Sequence, residues 1–268
     1  MDDETRSVLI TGASAGIGRA CAEVLQAAGW AVTGASRRGT APAGCTGLVM
    51  DVDDDESVRA GVASVLAQRG RIDALVAAAG WGLAGAAEQS PVAEAQAQLE
   101  TNFWGCVRVV QQVLPAMRAR GGGRIVLVSS IGGLIAIPFQ AFYSASKFAL
   151  EGYGEALAYE VAPFGVQVTL VEPGNIKTDF TASRRKTATA DDPPYGPAFG
   201  KALRVMERDE ANGAPAAVVA AAVRQVLDAP RPPRRVSAGK RVERLGLVAK
   251  RLLPFRVFQA AAKGPLGV

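Results

Sequence analysis

Short runs of aliphatic residues alternate along this chain with segments of helical periodicity, and that alternation constrains the fold more than any other feature. Residues 7–11, 31–35, 47–52, 74–79, 124–129 and 166–171 read as strands that are apolar on both faces, as strands of a covered parallel sheet must be. Residues 16–28, 55–68, 91–120 and 143–162 read as helices bounded by Gly, Ser or Pro. Strand-helix alternation implies right-handed crossovers and an α/β, doubly wound parallel sheet of the Rossmann type in a single domain. Two stretches break the rhythm. Residues 175–213, which contain Asp191-Asp192-Pro193-Pro194-Tyr195-Gly196-Pro197, make too long an excursion for a simple connection; a lid over a site is the expected form and a plain loop the alternative. Pro230-Arg231-Pro232-Pro233-Arg234-Arg235 then stops the helix expected over 214–229 and acts as a stiff connector. The expected division is a main domain over 1–230 and a basic extension over 231–268 that holds a last strand and an amphipathic segment.

Composition removes several classes of chemistry. Histidine is absent from the 268 residues, so a Ser-His-Asp hydrolase, a Cys-His protease and an HExxH zinc enzyme are excluded. The cysteines (Cys21, Cys45, Cys106) lie far apart without a CxxC pair, so no zinc site or disulfide framework is expected, and a reducing, cytoplasmic setting fits best. The formal charge of +5 is unevenly spread: from Arg231 onward ten Lys/Arg face one acid, Glu243, which leaves the rest of the chain at −4. That distribution argues against nucleic-acid binding by the fold as a whole. The acidic N-terminus does not read as a signal peptide, and the longest apolar stretch, 125–139, is interrupted by Ser129-Ser130 and Gly132-Gly133, so no bilayer span is expected.

The first strand runs into Thr11-Gly12-Ala13-Ser14-Ala15-Gly16-Ile17-Gly18, which opens the first helix. Glycines in that place let the backbone turn tightly and approach a pyrophosphate, whose charge is met by helix N-terminal amides. Eighteen residues past Gly18, where an NAD enzyme places an acid on the ribose hydroxyls, stand Ser36, Arg37 and Arg38. A hydroxyl and guanidinium groups suit a 2′-phosphate, so NADP is the expected cofactor. Tyr143 and Lys147 lie four apart at the start of a helix and share one face. Ser130 stands at the end of the fifth strand and Asn102 in the long helix before it. An ammonium about 5 Å from a phenol, at an effective dielectric near 20, supplies about 3 kcal/mol toward ionising it. Tyr143 is therefore expected to have a lowered pKa.

Taken together, Thr11-Gly-x3-Gly-x-Gly18, Asp51-Val52, Asn102, Ser130, Tyr143-x3-Lys147 and Pro173-Gly174-x-Ile176-x-Thr178 resemble the short-chain dehydrogenase/reductase family over residues 7 to about 180. Glu100-Thr101-Asn102, Leu150-Glu151-Gly152, Ala162-Pro163-Phe164-Gly165 and Val171-Glu172-Pro173-Gly174 are most similar to its 17β-hydroxysteroid and retinol dehydrogenase-like branch. The resemblance implies an oxidoreductase in which Tyr143 is the acid/base, Ser130 hydrogen-bonds the substrate oxygen, Lys147 binds the nicotinamide ribose and Asn102 holds a water relay. It further implies cofactor contacts from Gly12, Ser14, Gly16, Ile17 and Gly18, from Asp51 and Val52 around the adenine, and from Ala79 and Gly80. Pro173, Gly174, Ile176 and Thr178 would lie about the nicotinamide. Pairing of subunits through the long helices on either side of the fifth strand is also implied, hence a homo-oligomer. One departure stands out: Ala77-Ala78-Ala79-Gly80 replaces the family's Asn-Asn-Ala-Gly and removes a polar tie between neighbouring strands.

The expected reaction is hydride transfer between NADP and the carbonyl or secondary alcohol carbon of a bulky, lipophilic small molecule. Trp81, Trp104, Ile131, Leu134, Phe139, Phe142 and Phe180 are the candidate lining, with core packing the alternative for each. A carrier-protein-dependent 3-ketoacyl reductase and a non-catalytic dinucleotide sensor are the rival readings. In the extension, Val242, Leu245, Val248, Ala249 and Leu252 form one stripe over 241–253. Packing against the body or a partner subunit is the expected fate of that stripe, and peripheral contact with an anionic membrane is the alternative.

Overall fold

The computed structural model describes residues 5–187 and 193–265. In chain order its first half comprises β1 (Ser7–Thr11), α1 (Gly16–Ala27), β2 (Ala31–Ser36), β3 (Thr46–Val49), α2 (Asp55–Arg69), β4 (Ala74–Ala77), the short β5 (Leu83–Ala84), α3 (Val92–Leu99) and α4 (Gly105–Ala119). The second half comprises β6 (Gly123–Val128), α5 (Ala141–Glu160), β7 (Val166–Pro173), β8 (Ile176–Lys177), α6 (Phe180–Ser183), β9 (Arg185–Lys186) and α7 (Gly196–Ala211). It ends with β10 (Ala214–Pro215), α8 (Ala216–Asp228), β11 (Arg235–Ala238), α9 (Arg241–Leu252) and α10 (Phe255–Lys263).

Seven strands form one sheet in the order β11-β7-β6-β4-β1-β2-β3, and every pairing in it is parallel. The order reverses between β1 and β4, and the crevice beyond the carboxyl ends of strands at such a switch point is where ligands bind. Alternation along each strand supplies two cores. Leu9, Leu75, Ile125 and Leu127 face one side with Val58 of α2, Val109 of α4 and Leu150 of α5. Val8, Ile10, Val76 and Val126 face the other with Leu25 of α1 and Val223 of α8. Local signals end the elements where the sequence places them. Asp54 caps α2 by accepting from Ser57 N at 2.6 Å, and Gly70 closes it in the left-handed region at φ 70°.

Three expectations need correction. The helix expected over 91–120 is interrupted by a π turn at Glu100–Trp104 that separates α3 from α4. The strand expected over 47–52 stops at Val49, because Asp51 N donates to Ser57 Oγ at 2.9 Å and turns the chain toward α2. The described parts of the excursion over 175–213 are organised and not a plain loop: β8 pairs with β10, β9 pairs with β5, and α7 runs sixteen residues. Asp191 and Asp192 of that excursion lie outside the described residues.

The basic extension begins inside the sheet. β11 pairs with the edge of β7, and Arg235 on it reaches Glu151 at 3.0 Å, Glu155 at 2.8 Å and Glu172 at 3.6 Å. Among the described residues, no helix is long and apolar enough to cross a membrane.

Candidate active site

The carboxyl end of β1 leads into a loop built for close backbone approach. Gly12 and Gly16 have φ of 69° and 52°, which other residues adopt only with strain. A Cβ on Gly18 would lie 2.4 Å from Gly12 O, so only glycine lets α1 start this close to the loop. No side chain caps α1 and no acid lies in its first turn. The uncapped amides around Ser14, Gly16 and Ile17 are therefore suited to a phosphate anion, and this is the fit test a dinucleotide must pass.

With alanines at 77 and 78, the chain after β4 is tied to β1 through Thr11. Its hydroxyl oxygen accepts from Ala78 N and Ala79 N, both at 3.1 Å, so the tie between the two loops comes from β1. A Cβ on Gly12 would sit 2.9 Å from Ala79 Cα, a measure of how tightly these backbones meet. Gly80 lies beside Asn102 and Lys147.

Asp51 and Ser36 acquire more definite roles. Asp51 is not the cap of α2, since Asp54 fills that place; one Asp51 carboxylate oxygen accepts from Asp53 N at 3.1 Å. Val52 is buried under Gly105, whose Cβ would meet Val52 Cγ2 at 2.8 Å. Ser36 Oγ accepts from Thr40 N at 3.1 Å and donates to Thr40 O at 3.3 Å. It holds the turn after β2, which leaves exposed Arg37 and Arg38 as the groups free to meet a 2′-phosphate.

Beyond β6 the Ser130 side chain accepts from Gly132 N at 3.0 Å and is hydrogen-bonded to the Tyr143 hydroxyl. Gly132 allows this approach, because a Cβ there would meet Tyr143 Cε1 at 3.1 Å. Lys147, one turn along α5, is buried and donates to Val128 O at 2.9 Å. Burial lowers its pKa to about 8, with Cys106 and Glu151 opposing. Tyr143 behaves differently from the expectation. Burial raises its pKa; hydrogen bonding to Ser130 and the Arg184 charge work against the rise, and Glu210 adds to it. The Lys147 ammonium, spent on Val128 O, does not dominate the phenol, and Tyr143 keeps its proton at neutral pH.

Asn102 acts through its neighbours. Its Oδ1 accepts from Trp81 N at 3.0 Å, and its Nδ2 donates to Trp81 O at 3.0 Å and to Ser146 Oγ at 3.1 Å. Ser146 in turn donates to Tyr143 O at 2.7 Å. The π turn aims Asn102 inward so that it can join β4, α4 and α5 behind the phenol. The Asn102 side chain thus ties Trp81, after β4, to the first turns of α5.

A family model described as short chain dehydrogenase matches residues 6–189. The chain belongs to the short-chain dehydrogenase family. A 3-ketodihydrosphingosine reductase of Bacteroides thetaiotaomicron is 41% identical over 258 residues, 96% of this chain and 96% of its own. Retinol dehydrogenase 8 of Bos taurus is 38% identical over 213 residues, 74% of this chain and 68% of its own. A crystal structure of a short-chain dehydrogenase from Streptomyces avermitilis has a TM-score of 0.82 at 34% identity, covering 98% of this chain and 99% of that one.

In this short-chain dehydrogenase the expected lining divides into groups. Phe180 reaches the site: its ring stands edge-on to Tyr143 with centroids 5.9 Å apart, and Gly82 leaves room for it, since a Cβ there would lie 2.9 Å from Phe180 Cζ. Trp81 donates its indole N–H to Thr101 Oγ1 at 3.1 Å and lies under Arg185 at 4.3 Å. Ile131, Leu134 and Phe142 are half-buried. Phe139 instead packs on Phe199 of α7, 5.5 Å between centroids. Trp104 is corrected outright: two positions after inward-facing Asn102 it turns outward, 48% exposed. Thr178 packs over Gly16, where a Cβ would lie 3.6 Å from Thr178 Cβ, and Ile176 is buried behind it. Pro173 is buried at the end of β7, and Gly174 leaves room for Glu243 of α9, whose Oε2 would lie 2.0 Å from a Cβ.

Sequence reasoning missed Arg184 and Glu210. The Arg184 side chain is fully buried and paired with Glu210, which also accepts from Thr181. Among the described residues, Arg184 Nε and Nη1 have no hydrogen-bond partner. The pair borders a cavity of about 590 Å³ shared with Thr178, Thr181 and Lys186. Nothing in the local sequence marks it, because its halves lie twenty-six residues apart across the lid.

Proposed function

We propose that this enzyme is an NADP-dependent reductase acting on a ketone in a long lipophilic amphiphile of the 3-ketodihydrosphingosine class. The observation that carries the reading is Tyr143 next to Ser130, with Phe180 edge-on to its ring and the Arg184–Glu210 pair alongside. When bound at the glycine loop after β1, a reduced nicotinamide would supply hydride for the carbonyl carbon. Ser130 holds the carbonyl oxygen, and Tyr143 delivers its proton to that oxygen as negative charge develops there. Lys147 offsets the charge left on Tyr143, and the Asn102–Ser146 chain keeps the turn of α5 carrying both residues in place. The raised Tyr143 pKa favours reduction over alcohol oxidation, which starts with loss of that proton. A buried guanidinium with unfilled donors beside a carboxylate suits a polar head carrying hydroxyl and ammonium groups next to the ketone. Cys21, Cys45 and Cys106 are free thiols, which supports work in a reducing compartment such as the cytoplasm.

The test compares NADPH consumption with 3-ketodihydrosphingosine, a short apolar ketone and a carrier-bound 3-ketoacyl chain. A kcat/KM about ten- to a hundredfold higher for the amino-ketone than for the apolar ketone is expected, the worth of one charged hydrogen bond. Faster turnover of the carrier-bound chain overturns the substrate reading. For the cofactor, the double variant Ser36→Asp, Arg37→Ala is expected to move the NADPH-to-NADH ratio of kcat/KM toward NADH by about tenfold or more, through one lost charge pair and one new repulsion. An unchanged ratio removes Arg37 as the reader of the 2′-phosphate.

A further inference from the structure

The end of the chain presents a surface that the catalytic reading leaves unused. No residue of α9 or α10 is buried. Val242, Leu245, Val248 and Leu252 recur on one face of α9 with exposures of 69%, 65%, 51% and 77%, and Phe255 and Val257 of α10 are exposed by 66% and 51%. The stripe does not pack against the body.

The opposite face of α9 is anchored. Glu243 accepts from Asn175 N at 3.0 Å, Asn175 Nδ2 at 2.9 Å and Lys240 N at 2.9 Å. Lys250 donates to Leu134 O and lies 5.2 Å from the Phe148 ring. Gly246 faces Ile135. These contacts fix α9 against 134–135, a few residues past Ser130, and against the loop after β7. They also turn inward the only acid after Arg231. The outer face therefore carries Arg241, Arg244, Arg251, Arg256 and Lys263, all exposed, and among the described residues none of them forms a salt bridge.

We propose that α9 and α10 dock the protein on an anionic lipid bilayer, with the apolar stripe immersed and the arginines among the headgroups. An exposed apolar stripe flanked by cations is what an interfacial helix requires. A second copy of this chain would set five cations against five others with no acid between them, so charge complementarity favours lipid phosphate. Docking on this face would hold residues 134–135 about one helix diameter, some 10 Å, from the bilayer. A lipophilic substrate could then enter without crossing water. The benefit to the substrate rests on the proposed function; the docking does not.

The test is flotation of the full chain with vesicles of phosphatidylcholine alone and of an equal mixture with phosphatidylglycerol. Association with the mixed vesicles that weakens as salt rises is expected. Arg244→Gln, Arg251→Gln, Arg256→Gln should reduce partitioning about a hundredfold, at about fivefold per cation. Leu245→Glu with Leu252→Glu should abolish it, with the thermal midpoint unchanged as the check on folding. Failure of the unaltered protein to float, or flotation indifferent to both variants, overturns the proposal. It is equally overturned if gel filtration finds a dimer that Leu245→Glu with Leu252→Glu dissociates while vesicles do not bind, because the face is then an interface between copies. Each readout is independent of turnover, so a failed substrate assignment and a failed docking surface are separable.

Discussion

Tyr143→Phe is expected to lower ketone reduction by about 10²- to 10⁴-fold, the range spanned by one positioned proton donor. The substitution removes a single oxygen from a ring held by Phe180, Gly132 and Ser130, so the ring's packing survives. The loss should fall on kcat, with cofactor affinity changed only a few-fold. At neutral pH the hydroxyl is un-ionised, so its raised pKa carries no stability cost to relieve, and the thermal midpoint should change little. Stopped-flow turnover with a cofactor titration of the same preparation measures both. Unaltered turnover would remove Tyr143 from the proton path, and a collapse of cofactor binding would make its role structural.

Lys147→Met should inactivate the enzyme and stabilise it. Folding takes the ammonium from a pKa of 10.5 to about 8, which at neutral pH costs roughly 3 kcal/mol. The hydrogen bond to Val128 O returns about 1 kcal/mol, and methionine fills a similar volume without a charge. A net gain of about 1–2 kcal/mol follows, or about 3–6 °C in Tm for a domain of this size, while turnover falls about a hundredfold or more. The pH dependence carries a definite sign. Between about 8 and 10.5 the unfolded chain binds a proton at Lys147 that the folded chain does not, so the unaltered protein gains stability as pH rises through that window. Lys147→Met should lack the gain. Reduction by the unaltered enzyme should decline above about pH 8 as the ammonium is lost. A lowered Tm for Lys147→Met would mean that Lys147 serves the fold first.

The candidate catalytic set was legible as a pattern in the sequence because its information is local. Thr11 to Gly18, Ser130 and the Tyr143–Lys147 spacing each sit on one element whose period or turn chemistry can be read directly. The parallel sheet was legible for a similar reason, since alternate residues of β1, β4 and β6 must satisfy two cores. What remained hidden depends on pairs distant in the chain. Thr11 holds the chain after β4 through amides 67 and 68 residues away. Asn102 is spent on Trp81 and Ser146, and Trp104 faces out because a π turn rotates the helix, which a 3.6-residue period cannot foresee. Arg184 meets Glu210 only once the lid folds back. The Tyr143 pKa went the other way because pairwise charge was counted and burial was not.

Arg235 gives the sheet an order of assembly. β11 is made after every other strand of the sheet and pairs only with β7, while Glu151 and Glu172, both buried, await the guanidinium it carries. During synthesis, with domains forming from the N-terminus, the edge of β7 stays open and those carboxylates lack their cation until β11 leaves the ribosome. A nascent chain that stops short of Arg235 should be neither closed at that edge nor neutral beneath it. The cationic helices follow the closing strand, so the part that would seek a membrane is delivered only once the catalytic body is sealed.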